Sequence, residues 1–289
     1  MKRTGKIVLY TAFSALAVLF FLFWRFPSDL ARNLIMAQLN QVHPELEIAS
    51  REVHPTFPPG LVLTPFDISY AGVHVLDAEQ LKIKPSLLSL IGQQKNFSFS
   101  ASLGGGDLKG NAEVTLDDKR PKILLAMNLE NVSLDSLQVL KQWPQYQPSG
   151  DVKAYIDYDS QKGAEGTAKI NLDVTPARIV FTPPIMGLEQ IEFSQVQAEM
   201  SMTPRMLQIR HCEASGTQIE SRISGSIIFR EPMDRSRVTL SCTLKPQPAF
   251  IAEHKSDMLG GLLGTENAQK RGVVLRISGT LGNPRYIIR

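Results

Sequence analysis

From Ile7 to Trp24 the chain carries no charged residue. As an α-helix those positions span about 27 Å, close to the ~30 Å hydrocarbon thickness of a bilayer, so the segment predicts a transmembrane anchor. Its apolar body is Ile7, Val8, Leu9, Phe13, Leu16, Val18, Leu19, Phe20, Phe21, Leu22, Phe23 and Trp24. Lys2, Arg3 and Lys6 precede it, whereas only Arg25 follows at once and Asp29 offsets Arg32. The positive-inside rule then keeps the N-terminus in the cytoplasm and exports the rest. A cleaved signal peptide is the alternative, but the run is longer than a usual h-region and leads into Trp24-Arg25-Phe26-Pro27 rather than small residues, which favours a retained anchor. No second run approaches this length. The expected layout is a cytoplasmic stub and anchor over 1–25 and an exported β-rich domain over 26–289. In a Gram-negative cell that is a single-pass inner-membrane protein with a periplasmic domain.

Charged residues make up 20% and hydrophobic residues 43% of the chain, the balance of a folded domain rather than a disordered one. The formal charge of +3 is small and the basic residues are scattered, which argues against nucleic acid as a partner.

After the anchor, Ser28 and Asp29 suit the start of a short helix with Leu30, Leu34 and Ala37 on one face, ending before Pro44. A proline-rich stretch from His54 to Pro59 is read as the lead into a β region. There the period changes from 3.6 to 2. Phe97, Phe99, Ala101 and Leu103 alternate with Ser98, Ser100 and Ser102, as a strand with one apolar and one polar face requires. Similar alternation marks 81–83, 152–158, 168–174 and 238–244. Turn residues at 104–106, 117–118, 163–166 and 231–232 separate such segments, predicting a mainly β fold, a long antiparallel meander built from hairpins. Gly110, Gly150, Gly166 and Gly225 are read as strand openers, Ser133 to Leu140 as a short capped helix, and 249–263 as a second helical stretch.

Among groups that could carry chemistry, no two of His43, His54, His74, His211 and His254 have the helical spacing of zinc proteases. His211 and Cys212 are neighbours in a strand, so they face opposite ways and cannot serve one metal. In a meander Cys212 and Cys242 are separated by a third strand, about 10 Å apart at ~4.8 Å per strand, which favours two buried thiols over a disulfide. Gly104-Gly105-Gly106 links two strands and lacks the Lys-Ser/Thr ending of a phosphate loop. The residues therefore point to a non-enzymatic protein with no catalytic, cofactor or metal site. The candidate working surface is the apolar sheet face carrying Phe97, Phe99 and Leu103.

The basic N-terminus, single anchor, Phe26-Pro27-Ser28-Asp29 exit, short helix and β meander together resemble the protein N family (GspN) of the bacterial type II secretion system. Val273 to Tyr286 and Asn131 to Leu137 are similar to segments of the AsmA-like superfamily. The first resemblance implies an inner-membrane accessory or structural component of type II protein secretion, with other inner-membrane and periplasmic subunits as partners. The second implies a curved sheet whose apolar groove binds or carries membrane lipid.

Overall fold

The structure, a computed structural model, describes residues 46–56, 59–70, 73–90, 92–115, 122–142, 144–163, 166–185, 188–253 and 264–288. Before them it describes only Tyr10, Thr11, Phe13, Ser14, Ser28, Arg32 and Asn33, all helical. Apart from the helical Tyr10, Thr11, Phe13 and Ser14, the expected anchor over 7–24 lies outside the described residues, as does most of the helix expected after it. No helix among the described residues is long and apolar enough to cross a membrane. The chain is mainly β and divides into two units, 1–84 and 85–289.

In the first unit, β1 (Leu46–Thr56) pairs along its length with β2 (Gly60–Tyr70). The other edge of β2 is shared by β3 (Val73–Ala78) and β4 (Gln80–Pro85). Val53 and Leu63 are directly paired and fully buried, and Phe66 and Ala78 are buried with them. His54 and Pro55 thus belong to a strand rather than to a lead-in. The proline is tolerated because β1 pairs on one side only, and an edge strand can spare an N–H.

The second unit is organised around one long antiparallel sheet. Its first three strands are β5 (Gln94–Leu103), β6 (Gly106–Thr115) and β7 (Lys122–Ser133). After β8 (Tyr146–Ser149) come β9 (Asp151–Asp159) and β10 (Thr167–Val174). Next are β11 (Ala177–Ile185), β12 (Leu188–Phe193), β13 (Gln195–Thr203), β14 (Met206–Ser215) and β15 (Ile219–Ile228). β16 (Arg237–Pro246) is followed by α1 (Pro248–Glu253), α2 (Glu266–Arg271), β17 (Val273–Thr280) and β18 (Pro284–Ile288). The main sheet runs β5-β6-β7-β9-β10-β13-β14-β15-β16-β17-β18, and a separate three-stranded sheet runs β12-β11-β8. The small sheet grows from one end of the main sheet, since β10 runs on through Thr175 and Pro176 into β11 and β12 returns through Ser194 into β13.

The segments read as strands at 97–103, 152–158, 168–174 and 238–244 fall within β5, β9, β10 and β16. Gly104 and Gly105, both at positive φ (58° and 77°), close the β5–β6 hairpin. The segment from Ser133 differs from expectation. It forms two 3-10 turns, Leu134–Ser136 and Gln138–Gln142, separated by an extended Leu137 (ψ 109°). Ser133 makes no side-chain cap; instead Ser136 Oγ donates to the Ser133 carbonyl at 2.6 Å. The second helical stretch is seen only as α1, and 254–263 lie outside the described residues. Gly110 and Gly225 do not open strands but sit inside β6 and β15, where another group crowds the backbone.

Candidate functional site: an open apolar sheet face

Directly paired residues of an antiparallel sheet point to the same side, so the register of the main sheet can be followed strand by strand. From Phe99 the row runs through Gly110, Met127, Ile156 and Ile170. It continues through Met200, Ile209, Gly225 and Leu240 to Ile277 and Tyr286. No charged residue interrupts it from the first strand to the last. The neighbouring row, two residues along each strand, begins Phe97, Ala112, Leu125, Tyr158, Ala168, Met202 and is equally apolar as far as Pro284. On the other flank, Ala101 leads through Leu108, Leu129, Ala154, Leu172 and Ala198 to Cys212, Ile223 and Cys242. The opposite face is polar: Ser98, Asn111, Ala126, Asp157, Lys169 and Ser201 form one of its rows.

Burial grades across the apolar face. At the end nearest the small sheet Leu103, Val132, Val152, Val174 and Ala214 are buried, Val132 completely (0% exposed). Phe250 of α1 is 1% exposed. Along the Phe99 row the side chains are only half-buried and Tyr286 (46%) is open, as is Met202 (40%) in the Phe97 row. An ordinary sheet buries such a face against a second layer. Here the end nearest the small sheet is closed and Ala168 and Val238 of the Phe97 row are buried as well, while the Phe99 row between them is only half-buried. The three expected face residues do share one side of β5. Leu103 belongs to the closed end, while Phe97 and Phe99 belong to the half-open part.

The edge strand of the small sheet meets the last strand of the main sheet. The hydroxyls of Tyr146 on β8 and Tyr286 on β18 lie 3.1 Å apart. Tyr146 also meets Phe181 of β11 edge to face, centroids 6.3 Å apart. Burial, and then the Tyr146 hydroxyl, push the Tyr286 phenol up to about 12.

Cys212 and Cys242 are free thiols on this face, separated by β15 with Ile223 between them, as the meander reading expects. Burial pushes both thiols up, and Ser221 Oγ lies 3.2 Å from Cys242 Sγ. His211 occupies the opposite face, paired with Glu199. Among the described residues no His, Cys, Asp and Glu side chains gather as a metal would require. Sequence reasoning found the β5 portion of the face but not its extent, because the rows exist only once the register is known. Comparison with protein families, with characterised proteins and with solved structures finds no match to this chain.

Proposed function

We propose that the chain is a non-enzymatic accessory component of the type II protein secretion system, anchored in the inner membrane by 7–24, and that it works by holding lipid acyl chains against its apolar sheet face. The observation that carries the working surface is the half-exposed row from Phe99 to Tyr286, unbroken by charge. At about 4.8 Å per strand it runs for about 50 Å along the sheet, whereas the acyl chains of one leaflet reach only about 15 Å. Burying half-exposed apolar side chains under a chain of methylenes gains about 0.8 kcal/mol per CH₂ group. The placement in type II secretion rests on the N-terminal layout and on the resemblance to the protein N family.

Full-length chain purified in a mild detergent should carry phospholipid detectable by mass spectrometry of the extract. Phe99→Asp and Met127→Asp should each remove it while the far-ultraviolet signal of the sheet persists. A wild-type chain that holds no lipid would leave an accessory scaffold without a carrier role. Placement is tested separately. Neighbouring genes for a secretion ATPase, pseudopilins and a secretin support it, and a setting among lipid-transport genes alone removes it. A phosphatase reporter fused after Arg289 should be active and one after Lys6 inactive; the reverse pattern overturns the orientation.

A further inference from the structure

We propose that the polar face of the main sheet, opposite the apolar rows, carries a saccharide-binding site centred on Tyr155. The register places Asn128, Tyr155, Asn171, Glu199 and His211 in one line across β7, β9, β10, β13 and β14. Alongside run Lys153, Asp173, Gln197, Glu213 and Arg222. All but Arg222 line one concavity of about 460 Å³.

The charges in this basin are largely settled among themselves. Asp173 accepts from Gln195 (2.5 Å), Thr175 (2.7 Å) and Gln197 (3.0 Å). These amide and hydroxyl donors, Gln197 first, hold its carboxyl below the usual range. Glu213 lies 2.9 Å from Arg222 and 3.2 Å from His211. Among the described residues the side chains of Tyr155, Asn171 and Glu199 make no hydrogen bond or ion pair. What is left for a ligand is therefore a ring, an amide with donors and an acceptor, and one carboxylate. Carboxylates and cations nearly balance, which favours a neutral ligand over a strongly charged one.

Tyr155 is 49% exposed in a line whose other side chains are polar or charged. A flat ring beside planar amide and carboxylate groups matches a pyranose, which offers a C–H face for the ring and adjacent hydroxyls that both donate and accept. The basin is flanked by two β-bulges. In β7, Glu130 and Asn131 together oppose Lys153, and in β14, Arg210 and His211 together oppose Ser224. Bulges sharpen the local twist and re-aim side chains beside sites.

The test uses full-length chain in detergent on an immobilised series of neutral chito-, cello- and malto-oligosaccharides. At least one should be bound. Tyr155→Ala should weaken that binding about tenfold or more, the order expected when an anchoring aromatic is truncated. Asn171→Ala should weaken it as well, and Tyr155→Phe should retain most of it. Phe99→Asp should leave it unchanged, so loss of lipid and loss of saccharide are separate outcomes. Failure of every oligosaccharide to bind, or binding by Tyr155→Ala equal to that of the wild type, overturns the proposal.

Discussion

The ring of Phe99 on β5 lies against Gly110, its directly paired partner on β6, so closely that a Cβ at Gly110 would collide with the ring's Cζ. The same Cβ would stand 2.6 Å from the Ala126 carbonyl oxygen on the far strand. Glycine thus lets an aromatic side chain take the space its own side chain vacates. Gly110→Ala should destabilise the domain by about 1–3 kcal/mol, the usual cost of overpacking. In a Phe99→Ala background the penalty should shrink but persist, because the Ala126 backbone remains. Urea unfolding of the four variants of this cycle measures both numbers.

Grading of burial predicts unequal costs for two phenylalanines. Phe250 is enclosed, so Phe250→Ala should cost about 3–5 kcal/mol. Phe99 is half-buried in the free protein, and Phe99→Ala should cost clearly less. Equal midpoint shifts in denaturant would mean that the apolar face is closed throughout.

Alkali should loosen the contact between β8 and β18. The Tyr286 phenol is raised from 10.0 to about 12, so the folded state favours its neutral form. Its contribution is fully present below pH 10 and is lost as the pH rises towards about 12. Tyr286→Phe should remove that alkaline component from a plot of melting temperature against pH and delete the late-titrating phenol from the ultraviolet spectrum. An unchanged alkaline limb in the variant would show that the loss arises elsewhere.

Both cysteine thiols are held up by burial, which lowers the thiolate fraction that reacts with alkylating reagents. Native protein should therefore be labelled by iodoacetamide more slowly at Cys212 and Cys242 than a free thiol peptide. Urea should restore full reactivity without a reductant, since no bridge has to be broken. A requirement for reductant would contradict the spacing imposed by β15.

The strands legible in the sequence are those whose alternation is uninterrupted. β5, β9 and β10 each repeat apolar and polar residues without an odd insertion, and their facing could be assigned before any pairing was known. The small sheet was not legible. β8 has four residues including Pro148, and β11 contains Pro183 and Pro184, so propensity argues against both. They persist as strands because β11 continues directly from β10 and carries β8 along its edge. Gly110 and Gly225 look like punctuation in one dimension, yet each lies within a strand because of what crosses above it. The Tyr155 basin was equally hidden. Its members are scattered from residue 128 to 213, and the one local signal is an aromatic residue in the polar phase of β9.

The bulges in β7 and β14 impose a rule of parity on this chain. Leu129 and Val132 are separated by two residues, as are Ile209 and Cys212, a spacing that in a regular strand would send each pair to opposite sides. The surplus residue cancels the slip, and all four remain on the apolar side. Deleting Arg210 would remove the surplus residue and make β14 regular, with Ile209 and Cys212 then two positions apart and still on the apolar side, and His211 and Glu213 still on the polar one. Loss of Arg210 and His211 together would make Ile209 and Cys212 neighbours and send them to opposite sides. One residue can therefore be lost at either bulge, whereas elsewhere in these strands only changes of even length keep the two sides sorted.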